Sequence, residues 1–400
     1  MTLTARSFAR VSLALVVGAA TLPAWLASCA TEGTGNLDDA PATAAVPGRD
    51  ARADADGAAD ASLDECTGDD CEFFTSECTA DVLCPTGPFD PVDPSKGLSW
   101  LTNARALVGR SPSDIWFAGS LGAYSRFDGS SWSTVDAGTQ TSARAFWLAP
   151  SGEVAVTDHA QLLVRGSSFV TTSAPSPGGF ASAALKNAPA GFGARVSAGF
   201  APAGSSSFWL ATETTLFRLG ATPEGEIEVR AGIDAARCSS HCKELRSIHG
   251  SSMKTIFAVG ERGATVRIDD ADSDSPKLRL FDSGTMQGLW GVFAASESEV
   301  WSVGGLGTVR RYAGEGSVWQ AARGVPTKEH LNAIWGTSSK DLWAAGQNGV
   351  VIHYDGAAWS RVTIAGLGSR RPPLTAIWGA ANGKVYIAGQ GIVLSLGGAP

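Results

Sequence analysis

Apolar residues between 331 and 359, LNAIWGTSSKDLWAAGQNGVVIHYDGAAW, come in short runs separated by Gly, Asn, Asp and Ser. Short apolar runs bounded by turn residues read as strands, since a helix needs a longer stretch with a 3.6-residue period. The pattern predicts strands over Leu331–Trp335, Leu342–Ala345 and Val350–Tyr354, with a fourth starting at Trp359. Gln347-Asn348-Gly349 and Asp355-Gly356 supply residues that tolerate a positive φ, which tight hairpin turns require. Such a sheet, apolar on both faces, is not stable alone and needs copies of itself on either side.

The copies are present. An aromatic residue marks the second strand in DIWFAG (Trp116), SFWLAT (Trp209), TIFAVG (Phe257), EVWSVG (Trp301), DLWAAG (Trp343) and KVYIAG (Tyr386). A degenerate copy over 144–169, with Ala155 at the marked position, fits between the first two. The seven copies are spaced 39 to 54 residues apart, close to the length of a four-stranded propeller blade. The last copy ends near Leu396 after three strands, while Gly97-Leu98-Ser99-Trp100-Leu101 precedes the first copy and reads as an orphan fourth strand. Pairing the two would close a ring and remove a sheet edge. The fold expected is therefore all-β: a seven-bladed β-propeller of four-stranded antiparallel blades over 97–400, its N-terminal strand completing the last blade.

The repeats resemble the I-W-G, D-x-W-A-x-G and Y-D-G-x-x-W propeller repeats of bacterial envelope lipoproteins. More distantly they are similar to the propellers of photosystem II assembly factors and of Asp-box, sialidase-type proteins. The likeness implies the fold and a binding or assembly role. Asp128-Gly129-Ser130-Ser131-Trp132 and Asp355-Gly356-Ala357-Ala358-Trp359 depart from Asp-box spacing, so hydrolase chemistry does not follow from it.

Charge separates the N-terminal region from the repeats. The chain carries a net −8, but residues 30–96 alone hold 16 acids against Arg49, Arg52 and Lys96. Arg6 and Arg10 precede an apolar run over 11–22, which is short for a membrane span and suits a secretory signal. Leu26-Ala27-Ser28-Cys29 resembles the lipobox of bacterial lipoproteins; the resemblance implies cleavage before Cys29 and lipidation of its thiol. Ala30, in place of Asp, then implies the outer membrane of the cell envelope. The organisation expected is a signal peptide over 1–28, a lipidated Cys29 with an Asp/Ala-rich disordered linker to 65, a Cys- and Pro-rich segment over 66–96, and the propeller. Six cysteines besides Cys29, namely Cys66, Cys71, Cys78, Cys84, Cys238 and Cys242, suit disulfides in an exported protein; the first four allow three pairings. Zinc is the lesser alternative, because the C-x-x-C pairs of zinc ribbons are missing.

Chemistry is sparse. No G-x-S-x-G, H-E-x-x-H or Walker loop occurs, and the five histidines lack ligand spacing. Asp269, Asp270, Asp272 and Asp274 lie in an insertion without the Gly and distal Glu of a calcium loop, so a solvated acidic loop is expected. No metal, cofactor or nucleic acid is expected. One position stands out: the second residue of each innermost strand, aligned by eye, is Arg105, Arg144, Arg195, Arg246, Gln287, Asn332 and Thr375. Equivalent positions in a propeller gather at one mouth of the central channel, where guanidiniums offer forked donors to an anion. The competing view is that these residues solvate a wet channel and pair with acids such as Glu244. Trp147, Trp290, Trp335 and Trp378, with His249 in the same place, are expected to pack between blades. The function expected is a non-catalytic, envelope-anchored monomer that binds an anionic protein or glycan. A sialidase-like hydrolase and an assembly factor for an envelope complex are the alternatives.

Overall fold

The repeats fold as their runs require. In the computed structural model, which describes residues 70–90, 97–189, 192, 195–242, 244–314, 316, 318–380 and 383–398, strand follows strand by tight turns. All of these residues belong to one compact unit. The signal and linker segments, with Cys29 and Cys66, lie outside the described residues.

Among the described residues, six blades are each built from consecutive antiparallel strands. Their inner strands are Ala104–Ser111 in blade 1, Ala143–Ala149 in blade 2, Val196–Phe200 in blade 3, Leu245–His249 in blade 4, Leu289–Ala294 in blade 5 and Leu331–Ser338 in blade 6. Blade 3 gains a fifth strand, Leu185–Lys186, parallel to its outermost one. The final copy supplies only Leu374–Gly379, Val385–Gly389 and Ile392–Leu396. These three join Leu83–Pro85, Ile364–Ala365 and Phe74–Thr75 in a composite six-stranded sheet with parallel pairs. Each inner strand packs on the next, and Leu374–Gly379 packs on Ala104–Ser111, so the ring is closed.

Two expectations are corrected here. The expected seven equivalent four-stranded antiparallel blades are six, completed by this composite sheet. The strand that pairs with the chain end is Leu83–Pro85, with Leu83 opposite Leu396 and Pro85 opposite Leu394, and not Gly97–Leu101. The reason is burial. Leu83 is wholly enclosed, whereas Trp100 and Leu101 are more than half exposed, and the two residues after them pair with the last sheet only through an isolated bridge of Asn103 with Gln390 and through Gly391 N donating to Thr102 O at 2.9 Å. Arg361 and Arg371 stack on Phe73 and Phe74 at 4.4 and 3.5 Å, which holds the N-terminal piece against the sheet. Cys78 and Cys84 form a disulfide beside it, Cys238 and Cys242 form another, and Cys71 is disulfide-bonded as well.

The second strand of every blade lies between neighbours on both faces, so it is buried along nearly its whole length rather than alternating; TIFAVG and SFWLAT are buried at every position. Inter-blade packing also explains the Trp-Gly pairs. A Cβ on Gly379 would lie 2.3 Å from the ring of Trp335, and one on Gly109 would lie 2.5 Å from that of Trp378. Each indole therefore occupies the space beside the glycine of the next unit, and any side chain there would displace it. The Asp-Gly turns work through their carboxylates. Asp355 accepts N–H bonds from Ala357 and Ala358 at 2.8 Å each; Asp128 accepts the Ser130 hydroxyl at 2.7 Å and the N–H groups of Ser131 and Ser130, and these bonds, the hydroxyl's above all, pull its carboxyl down to about 2.

The acidic insertion of blade 4 is a clasp and not merely a solvated loop. Arg218 of blade 3 is buried and donates to Asp272 O, Ser273 O and Asp274 Oδ1 at 2.8, 2.9 and 2.8 Å. Trp209 Nε1 donates to Ala271 O at 3.0 Å. Asp269 is held by Arg267 and Arg279, and Asp270 by Lys277.

Candidate functional site: the bulge ring at the channel mouth

Every inner strand, in all six blades and in the closing sheet, breaks register at its second residue. The first residue pairs with the end of the second strand, as Leu331 does with Gly346, and the third pairs one place on, as Ala333 does with Ala345. The residue between is left out of the ladder, and such a bulge re-aims its side chain. The bulged residues are Arg105, Arg144, Ser197, Arg246, Trp290, Asn332 and Thr375, and all of them line one cavity of about 390 Å³ in the centre of the ring.

Five of the expected residues are therefore brought together, and two are not. Ser197 replaces Arg195, which precedes the strand and is exposed. Trp290 replaces Gln287, a half-buried residue of the preceding loop. The inter-blade ring moves with it: Trp147, His249, Trp335 and Trp378 share their position with Val108, Phe200 and Phe293, not with Trp290. The second-strand partner in blade 2 is Val154, opposite Trp147, and Ala155 faces Phe146. A signal for the right register was present. The separation from Leu331 to Gly346 recurs from Ala104 to Gly119, Leu245 to Gly260, Leu289 to Gly304 and Leu374 to Gly389. Aligning on the tryptophan of blade 5 hid it, because the packing aromatic there is Phe293.

The side chains of the ring have different employments. Arg144 is ion-paired through Nε with Asp158. Arg246 Nε donates to Glu261 Oε1 at 3.0 Å and lies 3.9 Å from Glu244. Trp290 Nε1 donates to the same Glu261 oxygen at 3.2 Å, and its ring lies 5.0 Å from His330. Asn332 donates to Leu374 O at 2.8 Å and Thr375 to Ala104 O at 2.9 Å, each tying its own unit to the next. Ser197 donates to Ala211 O at 3.1 Å. Arg105 and Arg195 make neither a hydrogen bond nor an ion pair among the described residues. Desolvation at the mouth pushes the Arg105 guanidinium below its usual range; Arg144 and Arg195 push the same way, and Asp158 opposes them. Arginines gathered at one mouth, only some of them paired with acids, raise the positive potential there.

Below the ring, His249 is neutral. Burial lowers it to about 4. Its Nδ1 accepts the Ala294 N–H at 3.1 Å, and its ring sits between Phe200 and Phe293 at 4.6 and 5.1 Å. Among the described residues no cluster of His, Cys, Asp or Glu is arranged to hold a metal ion.

No family model and no curated protein matches this chain. Solved structures are similar in fold. YCF48 from Cyanidioschyzon merolae superposes with a TM-score of 0.56 at 13% identity, covering 74% of this chain and 95% of that one. A structure described as YCF48 bound to D1 peptide gives 0.55 at 11%, covering 74% and 91%. The WD40 β-propeller domain of Doa1 gives 0.54 at 8%, covering 80% and 96%. At these identities the likeness establishes the propeller fold.

Proposed function

We propose that this protein is a non-catalytic binding or scaffold protein that holds an anionic partner at the arginine side of the channel mouth. The observation that carries the reading is Arg105, which lines the cavity beside Arg144 and, among the described residues, has neither a hydrogen bond nor an ion pair. Guanidiniums left without carboxylates at a concave surface gain most from an incoming carboxylate, sulfate or phosphate. The hydrolase alternative draws no support from the site. Asp158 and Glu261 are each held by an arginine, and none of Tyr124, Tyr312, Tyr354 and Tyr386 lines the channel. The assembly-factor reading is a refinement rather than a rival. A propeller of similar fold is described as bound to a peptide, and an acidic protein segment is one form of anion this mouth would accept.

We propose further that the chain is exported and anchored in the outer membrane through Cys29, with the acidic segment after it as a spacer. Cys29→Ala should release the protein from the membrane fraction; membrane retention of that variant would remove the anchor from the account. The mouth is tested by capture from solubilised envelope on the full chain and on a variant carrying Arg105→Gln and Arg195→Gln. Neither substitution strands a carboxylate, so folding is expected to be unchanged. A partner held by the unaltered protein and lost by the variant is expected; equal capture by both sinks the reading.

A further inference from the structure

Turns surround the mouth, and two of them hold leucine where the backbone disfavours it. In blades 1, 4, 5 and 6 three residues of one geometry join the second strand to the third. The middle residue is left-handed in each: Leu121, Arg262, Leu306 and Asn348, with φ of 55°, 54°, 53° and 55°. Hydrogen bonds place these tips at the mouth end of the ring. Leu121 N donates to Ser142 Oγ at 3.2 Å, just before the inner strand that carries Arg144. Gly305 N and Gly307 N, on either side of Leu306, donate at 2.9 Å to Gly288 O and Glu329 O, just before the inner strands of blades 5 and 6. All four tip side chains are exposed, Leu121 and Leu306 by 68% and 60%. Asn348 shows what such a turn asks for by itself, because asparagine tolerates a left-handed backbone and a wet side chain. Leucine is disfavoured on both counts. Strain held at an exposed position points to a contact outside the chain.

The leucines are not scattered. Among the described residues eight large apolar side chains are exposed, and five of them, Trp100, Leu101, Leu121, Met286 and Leu306, lie in segments that lead into or flank the inner strands at this mouth. A sixth, Leu280, lines one cleft with Met286 and Arg262. Only Val170 and Val318 lie elsewhere, in loops between a third strand and an outer one. Single exposed apolar residues are ordinary, but a gathering of them on the face centred on Arg105 is not. Exposed Trp, Met and Arg together are the composition of protein-binding surfaces. We infer that the mouth face docks a protein partner, which sets a carboxylate on Arg105 and apolar side chains on the tips Leu121 and Leu306. This rests on the mouth being an anion site and deepens that reading by naming the partner class. A glycan would gain nothing for its hydroxyls from leucine and methionine. An anionic bilayer would meet Asp158, Glu261 and Glu329, which belong to the same face. A second copy across a two-fold axis would bring Arg105 towards its own equivalent.

Selection of a random dodecapeptide library on the full chain tests the inference, followed by titration calorimetry of the enriched peptides. Three variants are compared: Arg105→Gln, the tip variant Leu121→Asn with Leu306→Asn, and an off-face control, Val170→Asn with Val318→Asn. Blade 6 already carries asparagine at this turn, so the tip variant is expected to melt no lower than the unaltered protein. The enriched peptides are expected to combine an acid with apolar residues. They should bind at least tenfold more weakly to Arg105→Gln and to the tip variant, and equally well to the control. Acidic peptides that bind the tip variant undiminished overturn the inference and leave the mouth as an anion site. Peptides lost by the tip variant yet indifferent to Arg105→Gln overturn the anion reading and this one with it, as does the absence of any enriched peptide together with envelope capture that survives Arg105→Gln. A lower melting temperature in the tip variant assigns the leucines to structure and overturns the inference. So does a dimer in sedimentation, or binding to phosphatidylglycerol vesicles, that the tip variant abolishes, since the face would then belong to a second copy or to a membrane.

Discussion

Blades 1, 2 and 4 place arginine at the bulge of the inner strand, whereas blade 6 and the closing sheet place Asn332 and Thr375 there. The backbone feature is the same in both arcs, and the use made of it differs. On the arginine arc the side chains project charge into the opening, and their acids, Asp158 and Glu261, match only part of it. On the seam arc the short polar side chains reach across to carbonyls of the neighbouring unit, Leu374 O and Ala104 O. These bonds flank the place where the ring is shut by non-consecutive strands. The same bulge thus presents charge to the opening on one arc and ties neighbouring units together on the other, and the length and charge of one side chain decide which.

The comparison is tested most strongly at the seam. Leu83→Ala removes a wholly buried side chain from the strand that closes the ring and should cost about 3 kcal/mol in denaturant unfolding. Leu101→Ser, in the exposed stretch that does not close it, should change stability by no more than about 0.5 kcal/mol. Equal costs would mean that both stretches hold the seam.

Acid comes next. The folded pKa of His249 is depressed to about 4 from 6.5. Between those values the unfolded chain binds a proton that the folded one refuses. The stability present at pH 7 is therefore lost as pH falls from 6.5 towards 4, by about 3 kcal/mol in total. His249→Phe should abolish that slope, at a cost near neutrality of roughly 1–3 kcal/mol for the unpaired Ala294 N–H. A slope retained in the variant would place the titration elsewhere.

Smaller effects separate the two arcs directly. Asn332→Leu and Thr375→Val should each cost about 1 kcal/mol and leave anion binding alone. Arg105→Gln should do the reverse, changing stability by no more than about 0.5 kcal/mol while anion affinity falls. Thermal unfolding read beside calorimetry checks all three variants; a stability loss in Arg105→Gln would assign that arginine to structure.

Legibility followed locality. The strand-turn-strand unit of Leu331–Trp359, the positive φ at Asn348 and Gly356, and the burial of Trp116, Trp209, Phe257 and Trp301 were all readable, because each depends on neighbours a few residues away. Arg105, Arg144, Arg246, Asn332 and Thr375 were found at the mouth for the same reason: a repeat carries its own register. Ser197 and Trp290 were missed where the marker residue changed identity, since Phe200 and Phe293 do the packing that tryptophan does in blades 2 and 6.

The sequence by itself determined a ring of repeated antiparallel sheets, the turns within them and the polar character of one mouth. Hydrophobic periodicity and turn chemistry act within each copy, whereas the number of complete blades was not legible, because the last copy's strands join a composite sheet. Tertiary structure alone decided how the ring closes, which acids neutralise which arginines, and that Arg218 is spent as a clasp on blade 4 while Arg105 has no ion pair among the described residues. Those outcomes depend on which surfaces, distant in sequence, bury the most apolar area and leave the fewest polar groups unmatched. That balance is struck between blades and not within them.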